Sequence, residues 1–132
     1  MYLLDTNICI YAIKNKPACV LRNIKTKFKN CIYISSLTIA ELEFGIENSI
    51  HKDANRIALL KFVSIFNILC FGDMDAIPYG KLKAKLRKEG QAIGPIDMLL
   101  AGQAISKNLI LVTNNTDEFE RIVNLKLENW AI

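Results

Sequence analysis

Three carboxylates in this sequence stand where a carboxylate needs a reason. Asp5 directly follows the apolar run Tyr2-Leu3-Leu4, and Thr6 and Asn7 make the turn after it unusually polar. Aspartate ahead of a helix is also a common N-cap, which is the plain alternative. At about 100° per residue Glu41 falls beside Leu37, Phe44 and Gly45, in a broad apolar arc that includes Leu42 and Ile46, while Glu43 and Glu47 take the polar arc. A carboxylate facing inward is costly unless it is protonated, paired with a lysine or arginine, or bound to a cation. Asp97 lies one turn into the segment opened by Gly94-Pro95, on the side of Ala101 and Ala104. Those small residues predict close packing that aims Asp97 inward; the alternative is a favourable interaction with the helix N-terminus. Asp117 and Glu118 follow the last strong apolar run, together with Thr113, Asn114 and Asn115.

Carboxylates that converge without a clustered lysine or arginine make a site for a hard divalent cation, and Mg²⁺ and Mn²⁺ prefer such oxygen ligands. A cation so held activates water and stabilises the charge that develops when a phosphodiester is cut. Other chemistries lack their parts. The single histidine, His51, lies in a polar stretch that reads as a solvated loop, so no Ser–His or Cys–His pair is available. Cys9, Cys19, Cys31 and Cys70 are scattered, with neither a C-x-x-C pair nor a nearby histidine to make a zinc site. They read as reduced, mostly buried thiols. No Walker-type or G-x-G-x-x-G loop is present to hold a nucleotide.

The elements that must position these residues alternate. Tyr2 to Leu4 reads as a short buried strand, Ile8 to Lys14 and Cys19 to Phe28 as helices, and Cys31 to Ile34 as a strand. Ser35 or Ser36 caps a helix through about Glu47. An amphipathic helix over 53–66 precedes the strand Ile68 to Phe71, and a basic helix from Met74 to Lys88 stops at Gly90. Gly94-Pro95 opens the next helix, Leu109 to Val112 is the clearest strand, and Leu125 to Ile132 adds a short one. This alternation implies a central parallel sheet of 4–5 strands between helical layers, an α/β/α sandwich spanning 1–132 as a single domain. In such sheets ligands sit at the carboxyl ends of the strands, near a switch in strand order. Asp5 and the Thr113 cluster both follow strands.

At 132 residues with 52% hydrophobic content, the chain can fill one core, and it has no repeat or Pro/Gly-rich linker. No apolar run approaches the roughly 20 residues that span a bilayer, and the apolar start is too short for a signal peptide, so a soluble, cytoplasmic protein is expected. A net charge of +4 permits an anionic partner. Lys14, Lys16, Arg22, Lys25, Lys27 and Lys29 form one basic cluster. In the other, Lys81, Lys85 and Lys88 share a helical stripe that faces away from Leu82 and Leu86. That stripe is either a phosphate-contacting face or an ordinary solvated one. Residues 57–66 carry more apolar side chains than one core-facing stripe needs, and the excess suits a partner groove or a dimer face.

Four segments in order, Leu3-Leu4-Asp5-Thr6-Asn7, Ser35 through Leu42, Ile93-Gly94-Pro95-Ile96-Asp97 and Leu111 through Phe119, resemble those of PIN domains. More narrowly they resemble the VapC toxins of bacterial VapBC toxin–antitoxin pairs, over essentially the whole chain through Trp130. The resemblance implies a Mg²⁺- or Mn²⁺-dependent endoribonuclease with Asp5, Glu41 and Asp97 as its principal acids and metal ligands. The family's fourth acid falls within Thr113 to Phe119. Glu118 is favoured there, with Asn115 and Asp117 as alternates, because asparagine stands at 115 where aspartate is frequent. Thr6, Asn7, Ser36, Thr113 and Asn115 are then expected to orient waters or ligands, and Lys81, Lys85 and Lys88 to hold the RNA backbone. The resemblance further implies a homodimer held inactive by a small VapB-like antitoxin. The subgroup with these Ile-Gly-Pro-x-Asp and Thr-Asn-Asn-Thr segments is associated with cutting initiator tRNA in its anticodon stem-loop; mRNA or rRNA is the alternative substrate. Haloacid-dehalogenase-like phosphatases also begin strand–Asp but need a second aspartate where Asn7 stands. A degenerate PIN scaffold used only for binding is the non-enzymatic reading, and retention of all three principal acids argues against it.

Overall fold

The computed structural model describes residues 1–132 as a five-stranded sheet with helices on both faces. In chain order the elements are β1 (Tyr2–Leu4), α1 (Thr6–Lys14), α2 (Ala18–Lys27), a 3₁₀ turn (Phe28–Asn30), β2 (Ile32–Ser35), α3 (Ser36–Glu47), α4 (Lys52–Val63), β3 (Asn67–Leu69), α5 (Asp73–Lys88), α6 (Pro95–Ser106), β4 (Ile110–Val112), α7 (Thr116–Phe119) and β5 (Lys126–Glu128). The sheet runs β3-β2-β1-β4-β5 and every pairing is parallel. The chain therefore steps outward from β1 to β3, then crosses back and continues from β4 to β5. The gap between β1 and β4 is the switch point, where Leu4 is in register with Val112.

Strand alternation divides the core between the two faces. Leu3 and Leu111 point to one side, where they join Leu82 and Leu86 of α5, Leu100, Ala101 and Ala104 of α6, and Phe119. Tyr2, Leu4 and Val112 point to the other and meet Ile8 and Cys9 of α1, Val20 and Ile24 of α2, and Trp130. Trp130 closes the tail over β1, edge-on to Tyr2 with ring centroids 5.0 Å apart. Lys27 stands over both rings and pairs with Glu128 at 3.8 Å, so this member of the early basic cluster is committed to packing. Asp75, fully buried at the start of α5, accepts from the Gly72 N–H at 2.8 Å and faces Lys107 Nζ at 3.8 Å. No helix is long and apolar enough to cross a membrane.

Several boundaries and burials depart from what periodicity predicts. α1 begins at Thr6, because Asp5 itself takes the N-cap position. α4 ends at Val63 and β3 begins at Asn67, since Ser64 closes the helix and the next residues turn into the edge strand. Only Cys9 of the four free cysteines is buried; Cys31 precedes β2 in a left-handed conformation and Cys70 follows the edge strand, and both are exposed. The apolar arc of α3 is not uniformly interior. Thr38 and Ile46 are buried, but Phe44 is 69% exposed, because neighbouring helices cover only part of α3.

α5 and α6 approach most closely at Gly102, where an added Cβ would stand 2.8 Å from Tyr79 Cβ and 2.9 Å from its Cα. Gly102→Ala is therefore expected to force the two helices apart and to cost about 1–3 kcal/mol in denaturant unfolding. An unchanged midpoint would show that the helices are not in that contact.

Candidate active site

The four acids arrive on four separate elements, and each is placed by local structure at the carboxyl edge of the sheet. Asp5 directly follows β1, caps α1 and is buried. Its Oδ1 accepts from the Thr6 N–H at 2.7 Å and its Oδ2 from the Thr113 hydroxyl at 2.8 Å, which ties it across the switch point to the end of β4. The capping role and the site position thus belong to the same side chain. Thr113 in turn accepts from the Asn115 N–H at 3.0 Å, and Asn115 Nδ2 donates to Glu118 Oε2 at 2.9 Å. Glu41, a turn and a half into α3, accepts at Oε1 from the Thr6 hydroxyl at 2.6 Å. Asp97 lies in the first turn of α6, half-buried, with Ala101 and Ala104 packed beneath it at zero exposure.

The electrostatics show that these groups share one space. Burial first, and then the negative charges of Asp5, Glu41 and Glu118, together push the Asp97 carboxyl up to about 6. Asp5 is raised chiefly by its own burial and lightly by Glu41, against the opposing hydrogen bonds from Thr113 and Thr6. None of the chain's ion pairs reaches Asp5, Glu41, Asp97 or Glu118. The donors that hold them are neutral hydroxyl, amide and backbone groups, which fix oxygens in place without cancelling their charge. Such an all-oxygen, uncompensated set fits a divalent cation. No three of these acids stand close enough together to form a ready-made metal cage; Mg²⁺ keeps several of its own waters and is commonly held by only one or two carboxylates.

The remaining expected residues are distributed unevenly. Thr6, Thr113 and Asn115 belong to the acidic network. Asn7 and Asp117 are exposed, and neither takes part in the bonds that hold the acids. Ser36 accepts from the Phe71 N–H at 3.1 Å and so anchors the segment leading into α5. Lys81 and Lys85 line a groove with Arg121 over an apolar floor that includes Leu82, Leu86 and Ile122. Lys88 borders a different hollow with Lys83 and Arg87, so the predicted stripe is divided between two surfaces. Sequence reasoning did not single out Arg121, whose exposed charge follows α7 with no pattern to mark it. It also passed over Tyr11 and Asn129, which meet Asn114 beside the acids.

Comparison with known proteins identifies the family and the fold. The PIN domain family model matches residues 2–125. A protein of Rickettsia felis named Ribonuclease VapC2 is 44% identical over 131 residues, covering 98% of each chain. One of Shigella flexneri named tRNA(fMet)-specific endonuclease VapC is 43% identical with the same coverage. The structure superimposes on the crystal structure of VapBC2 from Rickettsia felis bound to a DNA fragment from their promoter with a TM-score of 0.93, at 44% identity and 98% coverage of both chains. The chain belongs to the PIN-domain family, among its VapC ribonucleases. PIN-domain ribonucleases generally depend on a divalent metal.

The raised carboxyls have a consequence for the metal-free protein. A folded-state value above the unfolded one, as at Asp97, means that the native state holds its proton over the window from about pH 4 to about pH 6. Stability from this group is therefore present at low pH and lost as pH rises through about 6. In EDTA, Asp97→Asn is expected to raise the melting temperature at pH 7.5 and to leave it little changed at pH 4.5. Equal shifts at both values would contradict this repulsion.

Proposed function

We propose that this chain is the toxin of a toxin–antitoxin pair, a Mg²⁺- or Mn²⁺-dependent endoribonuclease acting in the bacterial cytoplasm on RNA, with initiator tRNA as the target. The observation that carries it is the set of four carboxylates at the switch point with no cationic side chain among them. Support for the target is the 43% full-length identity to a tRNA(fMet)-specific endonuclease; mRNA or rRNA is the second reading.

Asp5, Glu41 and Asp97 would hold the cation, with Glu118 as the fourth acid. When bound there, the cation supplies Lewis-acid stabilisation of the phosphate and makes water nucleophilic near neutral pH. Thr113 and Thr6 keep one oxygen of Asp5 and one of Glu41 in fixed positions, which reduces reorganisation when substrate arrives. Asn115 does the same for Glu118. Lys81, Lys85 and Lys88 would meet RNA phosphates, and Arg121 extends the groove shared by the first two.

An antitoxin segment is the expected second partner. A groove of about 240 Å³ between α1, α3 and α4 starts at Thr6 and Glu41 and continues over Ile10, Ile13, Leu42, Ile46 and Leu59. It fits an apolar peptide with a cationic residue directed at Glu41. α3 and α4 also expose Phe44, Ile57 and Leu60, enough unpartnered apolar surface for antitoxin or for a second copy in a homodimer.

Asp5→Asn, Glu41→Gln and Asp97→Asn should each lower cleavage of RNA by more than the roughly 10–100-fold typical of losing an outer partner, with Thr113→Val falling inside that range. EDTA should abolish cleavage and Mg²⁺ or Mn²⁺ restore it, leaving 5′-phosphate ends. Full activity in EDTA, or 2′,3′-cyclic phosphate ends, would rule this reading out. For the basic surface, Lys81→Ala with Lys85→Ala should reduce the slope of log affinity against log salt by about one unit per lost phosphate contact, equally for all sequences. An unchanged slope would make those lysines a solvated face only.

A further inference from the structure

The carboxyl edge of the sheet carries a second polar cluster that the cleavage chemistry does not use. Tyr11 of α1, Asn114 in the loop after β4 and Asn129 just past β5 meet beside the acids. Asn114 Nδ2 donates to the Tyr11 hydroxyl oxygen at 3.3 Å, and Asn129 Nδ2 donates to Asn114 Oδ1 at 3.3 Å. Asn129 Oδ1 accepts from the Ala131 N–H at 2.9 Å, so the chain's tail fixes Asn129 and Asn129 fixes Asn114. Both neighbours of Asn114 are bound to the acids: Thr113 to Asp5, and Asn115 to Glu118. Asn114 itself is exposed, between these two residues in the chain.

Counting valences shows what this arrangement leaves free. A carboxamide has two N–H donors and two acceptor lone pairs. Asn114 spends one donor on Tyr11 and one lone pair on Asn129, which leaves one donor and one acceptor unspent on an exposed side chain. The Tyr11 oxygen accepts from Asn114, and its own O–H is unspent, while its ring is held against the core beneath α1. Clasping the tail does not require Asn114, because the bond from Ala131 to Asn129 already does that. A side chain fixed from two elements, next to the site, with a paired donor and acceptor to offer, is a preorganised reader.

We propose that Asn114 and Tyr11 form a nucleobase subsite, which receives the edge of one unpaired base adjacent to the scissile phosphate. The inference rests on the ribonuclease reading above. Unpaired RNA bases expose their hydrogen-bonding edges to such groups, and an asparagine carboxamide reads an edge that offers an acceptor beside a donor. The Tyr11 O–H supplies a third contact to the same base or its sugar. Cleavage is thereby restricted by sequence at one position, whereas the basic groove is indifferent to sequence.

The test is to map cut sites on single-stranded RNA of randomised sequence, with Mn²⁺, for the wild type, Asn114→Ala and Tyr11→Phe. The wild type should show unequal base frequencies at one position flanking the cut. Asn114→Ala should reduce that preference about tenfold and raise KM on the preferred sequence, with melting temperature and Mn²⁺ affinity unchanged. Tyr11→Phe should reduce the preference by a smaller factor; it keeps the ring, so it decides the matter alone if Asn114→Ala fails to fold. Preference retained in both variants, or absent from an active wild type, overturns the subsite and leaves the ribonuclease reading standing. A folded wild type that cuts neither this RNA nor initiator tRNA overturns both.

Discussion

Like charges gathered at one sheet edge are the constraint around which this structure is organised. Asp5 follows β1; Glu41, Asp97 and Glu118 lie on α3, α6 and α7, and the charges of the other three raise the Asp97 carboxyl and so the cost of ionising it. The chain does not relieve that cost with lysine or arginine. It holds the oxygens with Thr6, Thr113, Asn115 and a backbone N–H instead. Neutral donors stabilise a carboxylate's position and leave its charge available to a cation. The fold supplies what the acids take away: both faces of the sheet bury continuous apolar clusters, and the helix bearing Asp97 is backed by alanines at zero exposure.

Asp75 shows what the chain does with a buried acid that has no such task. It is as buried as any residue in the protein, yet it sits among its own N–H donor, Gly72, and its own cation, Lys107. Glu43 and Glu47 are likewise answered, by Arg56 and Lys52 at the surface, where such pairs contribute little to stability. Burial alone therefore does not separate the candidate-site acids from the structural ones here. The absence of a cationic partner does.

The same asymmetry extends to the surface. The groove leading away from Glu41 is apolar along most of its length, while the groove under α5 is rimmed by Lys81, Lys85 and Arg121. Two surfaces of opposite character suit two partners of opposite character, an apolar segment with a cation at its end and a polyanion.

Much of this was legible in the residues. Strand and helix alternation determined a parallel α/β/α sheet, and the apolar runs placed its strands to within a few positions. The Asp5 turn, the lone inward glutamate of α3 and the Gly-Pro-x-Asp opening of α6 marked the acids, because burying a carboxylate leaves a signature in a periodic pattern. Local patterns failed where a property depends on what another element covers. Phe44 shares the arc of Glu41 yet lies in solvent, and Cys31 and Cys70 are exposed, because periodicity gives a helix face or a strand end but not its neighbour. The bonds Thr113–Asp5 and Thr6–Glu41 join residues 108 and 35 positions apart, and the cluster of Tyr11, Asn114 and Asn129 draws on three elements. Sequence alone determined which residues carry charge and which way their local elements turn them. Only the tertiary structure decided which of those charges share a space, because that depends on strand order, and strand order is set by long-range packing rather than by any single segment.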